Sequence, residues 1–473
     1  MLAVKDIYEA ITGKTTAGLE IAISDAVVDS RLVTPGALFI ALEGEHADGH
    51  DYVSDAFESG AVAALVEKDV DHDISLIDLR EAEQATLPSD ISHPICLRVD
   101  DALEALQTAA KFWRAKFGIR VIGITGSVGK STTKELAADV LSQHYKTIRS
   151  PGNMNNEIGL PLSLLGLTAV HERAVLEMGF YVPGEIAALC EIAAPQVGVV
   201  TNISEVHLER AGSMQAIVQG KAELVERLPP APEGVAILNF DDDRVRDMAR
   251  KTEAKVFYYG LSPEADLWVS DVEGLGLDGI RCLIHFEGEE LHLRVPLLGR
   301  HSVHTVMRAA AVGLNEGLDW GEIVRGLQNP RSQLRLVTVE GPGGAVILDD
   351  TYNAAPPSVL AALNLLDDLD GRKWAVLGDM LELGEYEETG HRRVGARAAE
   401  VADFLVTVGE RARWIADEAI ASGLPGERVT ALGTSDEAIE YLEERIDAGD
   451  VVLVKGSRGV ELDRVVSYME RAE

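Results

Sequence analysis

Cysteine, long apolar runs and positive charge are all scarce in this chain. Its 473 residues include 3 cysteines, Cys96, Cys190 and Cys282, which are far apart and lack the spacing of metal ligands. We therefore expect small core residues of a protein from a reducing compartment. No apolar run approaches the roughly 18 residues of a membrane span, so we expect no membrane partner. The N-terminal residues predict an amphipathic helix rather than a signal peptide, and we expect a cytoplasmic protein.

The charge balance is strongly acidic. Lys and Arg total 43 and Asp and Glu total 78, which gives a formal net charge of −35 at pH 7. Because nucleic-acid binding needs a basic face, we expect no nucleic-acid partner. The excess acid is best interpreted as a solvated surface that aids solubility.

The most informative stretch is residues 119–134, IRVIGITGSVGKSTTK. An apolar β-branched run, Val121 to Ile124, predicts a buried strand, and the residues after Lys130 predict a helix. Between them, glycines allow backbone N–H groups to face an anion, Lys130 adds charge, and the Ser131 hydroxyl can bind Mg²⁺. The strict pattern G-x-x-x-x-G-K-[ST] needs Gly where Ile124 stands, so this loop is the variant T-G-x-x-G-K-S. The alternative is a glycine-rich turn with an exposed lysine. We predict an ATP site at Thr125, Gly126, Ser127, Val128, Gly129, Lys130, Ser131 and Thr132.

The length predicts about three α/β domains. Residues 1–100 predict a small N-terminal α/β domain. Residues 101–328 predict a doubly wound P-loop domain, with strands near 121–125, 173–178, 197–201 and 234–238, and with antiparallel hairpins inserted at 255–297. Residues 329–473 predict a Rossmann-like domain that lacks G-x-G-x-x-G, which argues against a dinucleotide.

Polar residues follow several of the predicted strands. Glu177 ends one strand and His207 follows the next. Each alone is more often structural, but two at neighbouring strand ends beside a phosphate loop favour Mg²⁺ ligation. Lys221 has the pattern of a solvated helical lysine. In the first domain, Ser30, Arg31 and His50 offer donors to an anionic or uracil-like group, although Ser-Arg at a turn is more often a surface feature.

Taken in order, these blocks resemble the Mur ligase family over nearly the whole chain. The resemblance is carried by D-S-R and D-G-H-D, the phosphate loop, G-N-M-N-N-E-I-G-L-P-L, L-E-M-G, T-N-I-S-E-V-H-L-E, K-A-E-L and V-L-V-K-G-S-R-G. Two further blocks, D-D-T-Y-N-A and L-G-D-M-L-E-L-G, are similar to those of members that add D-alanyl-D-alanine.

The resemblance implies an ATP-dependent amide-bond ligase of cytoplasmic peptidoglycan precursor synthesis. ATP would phosphorylate the terminal carboxylate of UDP-N-acetylmuramoyl-tripeptide, and the amine of D-alanyl-D-alanine would attack the acyl phosphate. We expect a monomer whose first domain binds UDP and whose last domain closes over the nucleotide.

The resemblance also implies residue roles. The catalytic residues would be Lys130, Glu177, His207 and Lys221. Two Mg²⁺ sites would use Ser131, Glu177 and His207, with Lys221 as an N6-carboxylated (carbamate) ligand. Ser30, Arg31, His50, Asn155 and Asn156 would face the UDP substrate or its phosphate side. Asn239 would bind adenine, and Arg335, Asp350 and Tyr352 would close over the ribose and phosphates. Asn353 and residues 379–384 are candidates for the D-alanyl-D-alanine pocket.

The chain departs from the family pattern at Ser302 and Thr305, where Asn is usual. Two alternative functions stay open. One is a ligase of the same family with another acceptor, of the third-residue or folylpolyglutamate type. The other is a nucleotide-binding regulatory protein without catalysis, against which the joint presence of Lys130, Glu177, His207 and Lys221 weighs.

Overall fold

The structure is a computed structural model that describes residues 1–16, 18–44, 47–70, 74–80, 94–329 and 337–470. Arg335 therefore lies outside the described residues. Each of three successive α/β units is built on its own sheet, as predicted. The three cysteines are buried and free, which confirms their assignment to the core. In the described part of the chain no helix combines the length and apolarity that crossing a bilayer requires.

The first unit is a parallel sheet with helices against it. Its strands are β1 (Ala26–Val27), β2 (Leu38–Ile40), β3 (Ala63–Val66), β4 (Ser75–Asp78) and β5 (Ile95–Arg98), in the order β1-β2-β3-β5-β4. Its helices are α1 (Val4–Thr12) and α2 (Val53–Glu58). Strands β2 and β3 are buried along their whole length, because both faces of a covered parallel sheet are apolar.

Helix α3 (Ala102–Ala115) connects the first two units. It begins at the N-cap Asp101, whose carboxylate accepts a 2.8 Å hydrogen bond from Glu104 N–H. Its apolar face, which includes Leu106 and Trp113, belongs to one core that extends from the first sheet into the second unit. The Trp113 Nε1–H donates to the carbonyl of Leu167 at 3.0 Å. Helix α3, which begins just after the predicted boundary near residue 100, thus packs against both the first and the second unit.

The second unit is a mixed sheet flanked by helices. Its strands are β6 (Arg120–Thr125), β7 (Thr147–Arg149), β8 (Arg173–Glu177), β9 (Val197–Val200), β10 (Val235–Asn239), β11 (Lys255–Gly260), β12 (Leu267–Gly274), β13 (Ile280–Phe286) and β14 (Glu289–Val295). Its helices are α4 (Lys130–Leu141), α5 (Gly159–Leu165), α6 (Glu185–Ala193), α7 (Leu208–Ala211), α8 (Met214–Glu226), α9 (Asp243–Arg246), α10 (Val303–Asn315) and α11 (Trp320–Leu327). The strand order is β14-β13-β12-β11-β10-β9-β6-β8-β7. The four predicted strands are confirmed to within a residue or two at each end.

The prediction of antiparallel hairpins over residues 255–297 is wrong for its first part. Strand β11 pairs parallel with β10 from Val235↔Lys255 to Asn239↔Tyr259 and is a strand of the main sheet. Only β12, β13 and β14 form the antiparallel extension. Alternating burial is the same for a hairpin and for a strand near the sheet edge, so the local pattern could not separate the two.

The third unit is a Rossmann-like sheet. Its strands are β15 (Val337–Glu340), β16 (Val346–Asp349), β17 (Arg372–Gly378), β18 (Phe404–Val408), β19 (Val429–Leu432) and β20 (Asp450–Lys455), in the order β15-β16-β20-β17-β18-β19. Its helices are α12 (Pro356–Asp367), α13 (Glu387–Val401), α14 (Arg413–Ala421), α15 (Ser435–Glu443) and α16 (Asp463–Met469). Strand β15 is antiparallel to β16, and the other pairs are parallel.

Candidate active site

The glycine loop connects the end of β6 to the start of α4. Gly126 and Gly129 have φ angles of 141° and 84°, which residues other than glycine rarely adopt. A Cβ at Gly126 would lie 1.9 Å from Thr201 Oγ1, so the loop approaches the end of β9 too closely for any side chain. The strand, loop and helix predicted from the sequence are all confirmed.

Two loop carbonyls are held by threonine hydroxyls. Thr201 Oγ1 donates to the carbonyl of Val128 at 2.8 Å, and Thr133 Oγ1 donates to the carbonyl of Gly129 at 2.6 Å. In a trans peptide the N–H points opposite to the carbonyl. The N–H groups of Gly129 and Lys130 therefore face away from these anchors, towards the space where a phosphate can bind.

Two lysines converge on the loop. Lys130 Nζ and Lys221 Nζ both donate to the carbonyl of Gly126, at 2.9 and 3.3 Å. Lys221 is 1% exposed, and its Nζ lies 4.6 Å from the centre of the Phe180 ring. Burial, together with the nearby charge of Lys130, holds the pKa of Lys221 well below its usual value. The solvated lysine that the helical pattern indicated is in fact a buried one.

A buried carboxylate lies beside the loop. Glu177, at the end of β8, is 1% exposed, and its Oε2 accepts a 2.5 Å hydrogen bond from Ser131 Oγ. Asn155 Nδ2 donates to the other carboxylate oxygen at 2.8 Å. Asn156 instead accepts from Gly159 N–H at 2.9 Å, at the start of α5. The polar side chains of Ser131, Asn155 and Glu177 thus form one hydrogen-bonded group beside the glycine loop. Asn156 supports the neighbouring loop that precedes α5.

His207 joins the second unit to the third. It has a φ of 63°, and its Nδ1 lies 2.6 Å from Oε2 of Glu382, a residue of the segment after β17. The Tyr181 ring packs edge-on against it, with the ring centres 5.0 Å apart. Burial and the charge of Lys130 lower the pKa of His207 to about 4, although Glu382 acts in the opposite direction. Sequence reasoning found His207 but not its partner.

The residues expected to surround the nucleotide already have protein partners. Asn239 donates from Nδ2 to the carbonyl of Thr201 at 3.0 Å and accepts from Asp241 N–H at 3.0 Å. Asp350 Oδ2 lies 2.6 Å from Nζ of Lys455, a buried lysine at the end of β20.

Three family models match the chain. They are the Mur ligase family, catalytic domain over residues 23–114, the Mur ligase middle domain over 124–313, and the Mur ligase, glutamate ligase domain over 334–458. The UDP-N-acetylmuramoyl-tripeptide–D-alanyl-D-alanine ligase of Bacillus subtilis (strain 168) is 34% identical over 98% of this chain and 97% of its own length. The chain belongs to the Mur ligase family.

Further relatives support this assignment. The enzyme of the same name from Escherichia coli (strain K12) is 33% identical over 96% of this chain and 95% of its own. A crystal structure of MurF from Acinetobacter baumannii matches with a TM-score of 0.83 and 28% identity, covering 98% of both chains. The MurF ligase of Thermotoga maritima, solved in complex with ADP, matches with a TM-score of 0.75 and 27% identity over 95% of this chain and 97% of that one.

In this Mur ligase two of the predicted UDP-binding residues, Arg31 and His50, have partners within the first unit. Arg31, whose side chain is 86% exposed, forms an ion pair of 2.6 Å with Asp29. His50 is buried, its Nδ1 lies 2.6 Å from Asp48, and its Nε2 accepts from Glu67 N–H at 2.9 Å. Both ring nitrogens of His50 are thus engaged by the protein itself. Of these two residues, Arg31 is more accessible to a ligand than His50 is.

Sequence reasoning missed Lys455, Glu382 and Arg308 in this Mur ligase. Lys455 had a signal, because it ends a strand in the V-L-V-K-G-S-R-G block. Glu382 lies in the 379–384 segment that was assigned to the D-alanyl-D-alanine pocket. Arg308 lies on helix α10, and no role was assigned to it from the sequence.

Proposed function

We propose that this Mur ligase joins D-alanyl-D-alanine to UDP-N-acetylmuramoyl-tripeptide with ATP, in the synthesis of peptidoglycan precursors. It is an ATP-dependent ligase that forms an amide bond. The observation that carries the proposal is the 34% identity over 98% of the chain to a ligase of that name. The convergence of Lys130, Lys221 and Glu177 on the loop supports it independently.

The chemistry has two steps. First, the γ-phosphoryl group of ATP is transferred to the terminal carboxylate of the tripeptide, which gives an acyl phosphate and ADP. Then the neutral amine of D-alanyl-D-alanine attacks the acyl carbon, loses its proton, and displaces inorganic phosphate as the amide forms. Phosphoryl transfer depends mainly on positioning and charge neutralisation. The loop N–H groups and Lys130 supply both, and Asn155 holds Glu177 in place.

The residues at the loop fit Mg²⁺. Ser131 and Glu177 present oxygen donors 2.5 Å apart, and we assign the first Mg²⁺ to them and the second to His207 and Lys221. Among the described residues, no group of three or more His, Cys, Asp and Glu is arranged to hold a metal alone. An ion bound by one or two protein oxygens would complete its coordination with substrate phosphates. Bound Mg²⁺ would neutralise charge on those phosphates.

Lys221 is suited to become a carbamate. A neutral amine adds to CO₂ and releases one proton, and burial lowers the pKa of the Lys221 amine, which favours its neutral form. The carbamate would place a negative charge opposite Lys130 and would supply oxygen donors, which Mg²⁺ prefers to an amine.

The remaining assignments are also part of the proposal. We assign UDP binding to residues 1–100, ATP binding to 101–328 and D-alanyl-D-alanine binding to 329–473, in a cytoplasmic monomer. Asn239 would exchange a backbone contact for adenine, and the third unit would bring Asp350 and Tyr352 over the nucleotide. A domain closure of this kind excludes water from the acyl phosphate.

Phosphate release tests the proposal. We expect wild-type protein with ATP and Mg²⁺ to release phosphate only when UDP-N-acetylmuramoyl-tripeptide and D-alanyl-D-alanine are both present. Lys130→Ala should abolish release, and Lys111→Ala, at an exposed position of α3, should retain it. Release with a different amine would overturn the acceptor assignment but keep the family. ATP binding without release in any combination would favour the regulatory alternative.

A further inference from the structure

A buried guanidinium lies behind the glycine loop. Arg308, on α10, is 3% exposed. Its Nε donates to Thr133 Oγ1 at 2.8 Å, its Nη2 to Thr305 Oγ1 at 2.7 Å, and its Nη1 to Tyr259 OH at 3.5 Å. Each of these partners is neutral.

This charge has no carboxylate partner within 4.0 Å among the residues that the structure describes. Two half-buried arginines of the same chain, Arg120 and Arg173, pair with Glu316, and half-buried Arg114 donates to backbone carbonyls. A buried charge without a counter-charge is unfavourable. In a chain with 78 acidic residues, the counter-charge at Arg308 is therefore expected from a ligand.

The guanidinium touches the back of the loop. A Cβ added to Gly129 would lie 3.0 Å from Arg308 Nη2, so only one layer of backbone separates the charge from the side that faces the phosphate. Two hydrogen-bond chains also leave the guanidinium. One runs through Thr133 to the Gly129 carbonyl. The other runs through Tyr259 to the carbonyl of Thr201, whose hydroxyl holds the Val128 carbonyl.

We propose that Arg308 is a positioning residue for the nucleotide phosphates. Its charge attracts the polyphosphate through the loop, and its hydrogen bond to Thr133 fixes the Gly129 carbonyl, so that the N–H group of the same peptide, on Lys130, faces the ligand. The bound nucleotide supplies the counter-charge that the protein lacks at this position. This inference rests on the proposed ATP site.

The test compares ADP with adenosine, which lacks the phosphates. Titration calorimetry without added metal would measure both affinities for wild type, Arg308→Met, which removes the charge, and Arg308→Gln, which keeps hydrogen-bond donors without charge. We expect the ADP affinity of both variants to fall at least about tenfold, because a unit charge within one backbone layer contributes that much to binding. Adenosine affinity should stay within about twofold. The deciding quantity is the loss for ADP divided by the loss for adenosine.

Two controls separate this role from packing. Arg308→Lys keeps the charge and should restore most of the ADP affinity. Arg114→Met removes an arginine that donates to the carbonyls of Ala193 and Ile119, at the opposite end of β6, and should leave both affinities unchanged. Equal losses for ADP and adenosine, or no loss for ADP, would overturn the inference. If wild-type protein does not bind ADP, the proposed ATP site itself fails.

Discussion

At the scale of single residues, the chemistry depends on how burial changes ordinary side chains. The helical pattern around Lys221 is that of a surface lysine, yet Gly220 lets α8 approach Phe180, where a Cβ would lie 1.9 Å from the ring. The neighbouring Lys221 is enclosed as a result, and burial lowers the pKa of its amine. A sequence pattern specifies the face of a helix but not which element covers it.

We predict that Lys221 is carboxylated. Protein equilibrated with ¹³C-bicarbonate should show a carbamate carbon resonance in the NMR spectrum, and Lys221→Arg should lack it because a guanidinium stays protonated. Lys221→Arg should also lower kcat by about 100-fold or more, as expected when an oxygen ligand of a metal is lost. Lys111→Arg is the matched control and should retain the resonance and the rate. A resonance that persists in Lys221→Arg would contradict the assignment.

His391 gives a prediction about pH. It is fully buried, its Nε2 accepts from Met380 N–H at 2.9 Å, and its Nδ1–H donates to the Glu387 carbonyl at 2.7 Å. Burial lowers its pKa below the ordinary 6.5. The unfolded chain therefore takes up a proton first, so stability is full above pH 6.5 and declines as the pH falls towards the lowered pKa. Urea unfolding of wild type and His391→Gln should show a shallower decline for the variant; parallel curves would contradict this.

At the scale of secondary-structure elements, one carboxylate ties three of them together. Glu316, directly after α10, has a side chain that is 1% exposed, and it pairs at 2.6 Å with both Arg120 at the start of β6 and Arg173 at the start of β8. Glu316→Gln leaves two arginines facing one neutral amide. We expect a loss of about 3 kcal/mol in the free energy of unfolding, measured in urea.

The control for that variant is Glu191→Gln, which removes a surface ion pair of 2.8 Å with Arg227 and should change stability far less than Glu316→Gln does. Glu316 lies at the amino ends of strands whose carboxyl ends carry the loop. ADP affinity of the folded Glu316→Gln protein should therefore equal that of wild type. A stability change no larger than that of Glu191→Gln would show that the two arginines tolerate the amide.

The phosphate loop and the elements on either side of it show what could be predicted from the sequence. Strand β6, the loop and α4 follow one another along the chain, so their local pattern was sufficient for the phosphate cradle. The pairing of Glu316 with Arg120 spans 196 positions, and that of Arg308 with Thr133 spans 175. Such contacts depend on which helix packs on which strand. Local periodicity does not specify that choice, and the prediction for β11 was wrong for the same reason.

At the scale of the whole molecule, the segment after β17 brings the third unit into contact with His207 of the candidate site. Besides the bond to His207, the Glu382 carboxylate lies 3.4 Å from Arg210, and its carbonyl accepts from Glu209 N–H at 3.5 Å. Glu382 and His207 both have left-handed backbone conformations, with φ of 64° and 63°. Strained residues of this kind persist where surrounding contacts hold them. Glu382 thus links the position of the third unit to the orientation of His207.

We predict that removing this link weakens catalysis without weakening nucleotide binding. A carboxylate on Nδ1 directs the Nε2 of a histidine towards a metal, and losing such a partner typically reduces metal affinity or activity about 10- to 100-fold. In Glu382→Ala the Mg²⁺ concentration for half-maximal phosphate release should rise, and kcat should fall, each by about tenfold. ADP affinity without metal should be unchanged, because Lys130 and the loop belong to the second unit. Glu385→Ala, at an exposed position of the same segment, should behave as wild type. An equal fall in ADP affinity in Glu382→Ala would instead mean that the third unit supports the loop itself, and that Glu382 acts through packing rather than through His207.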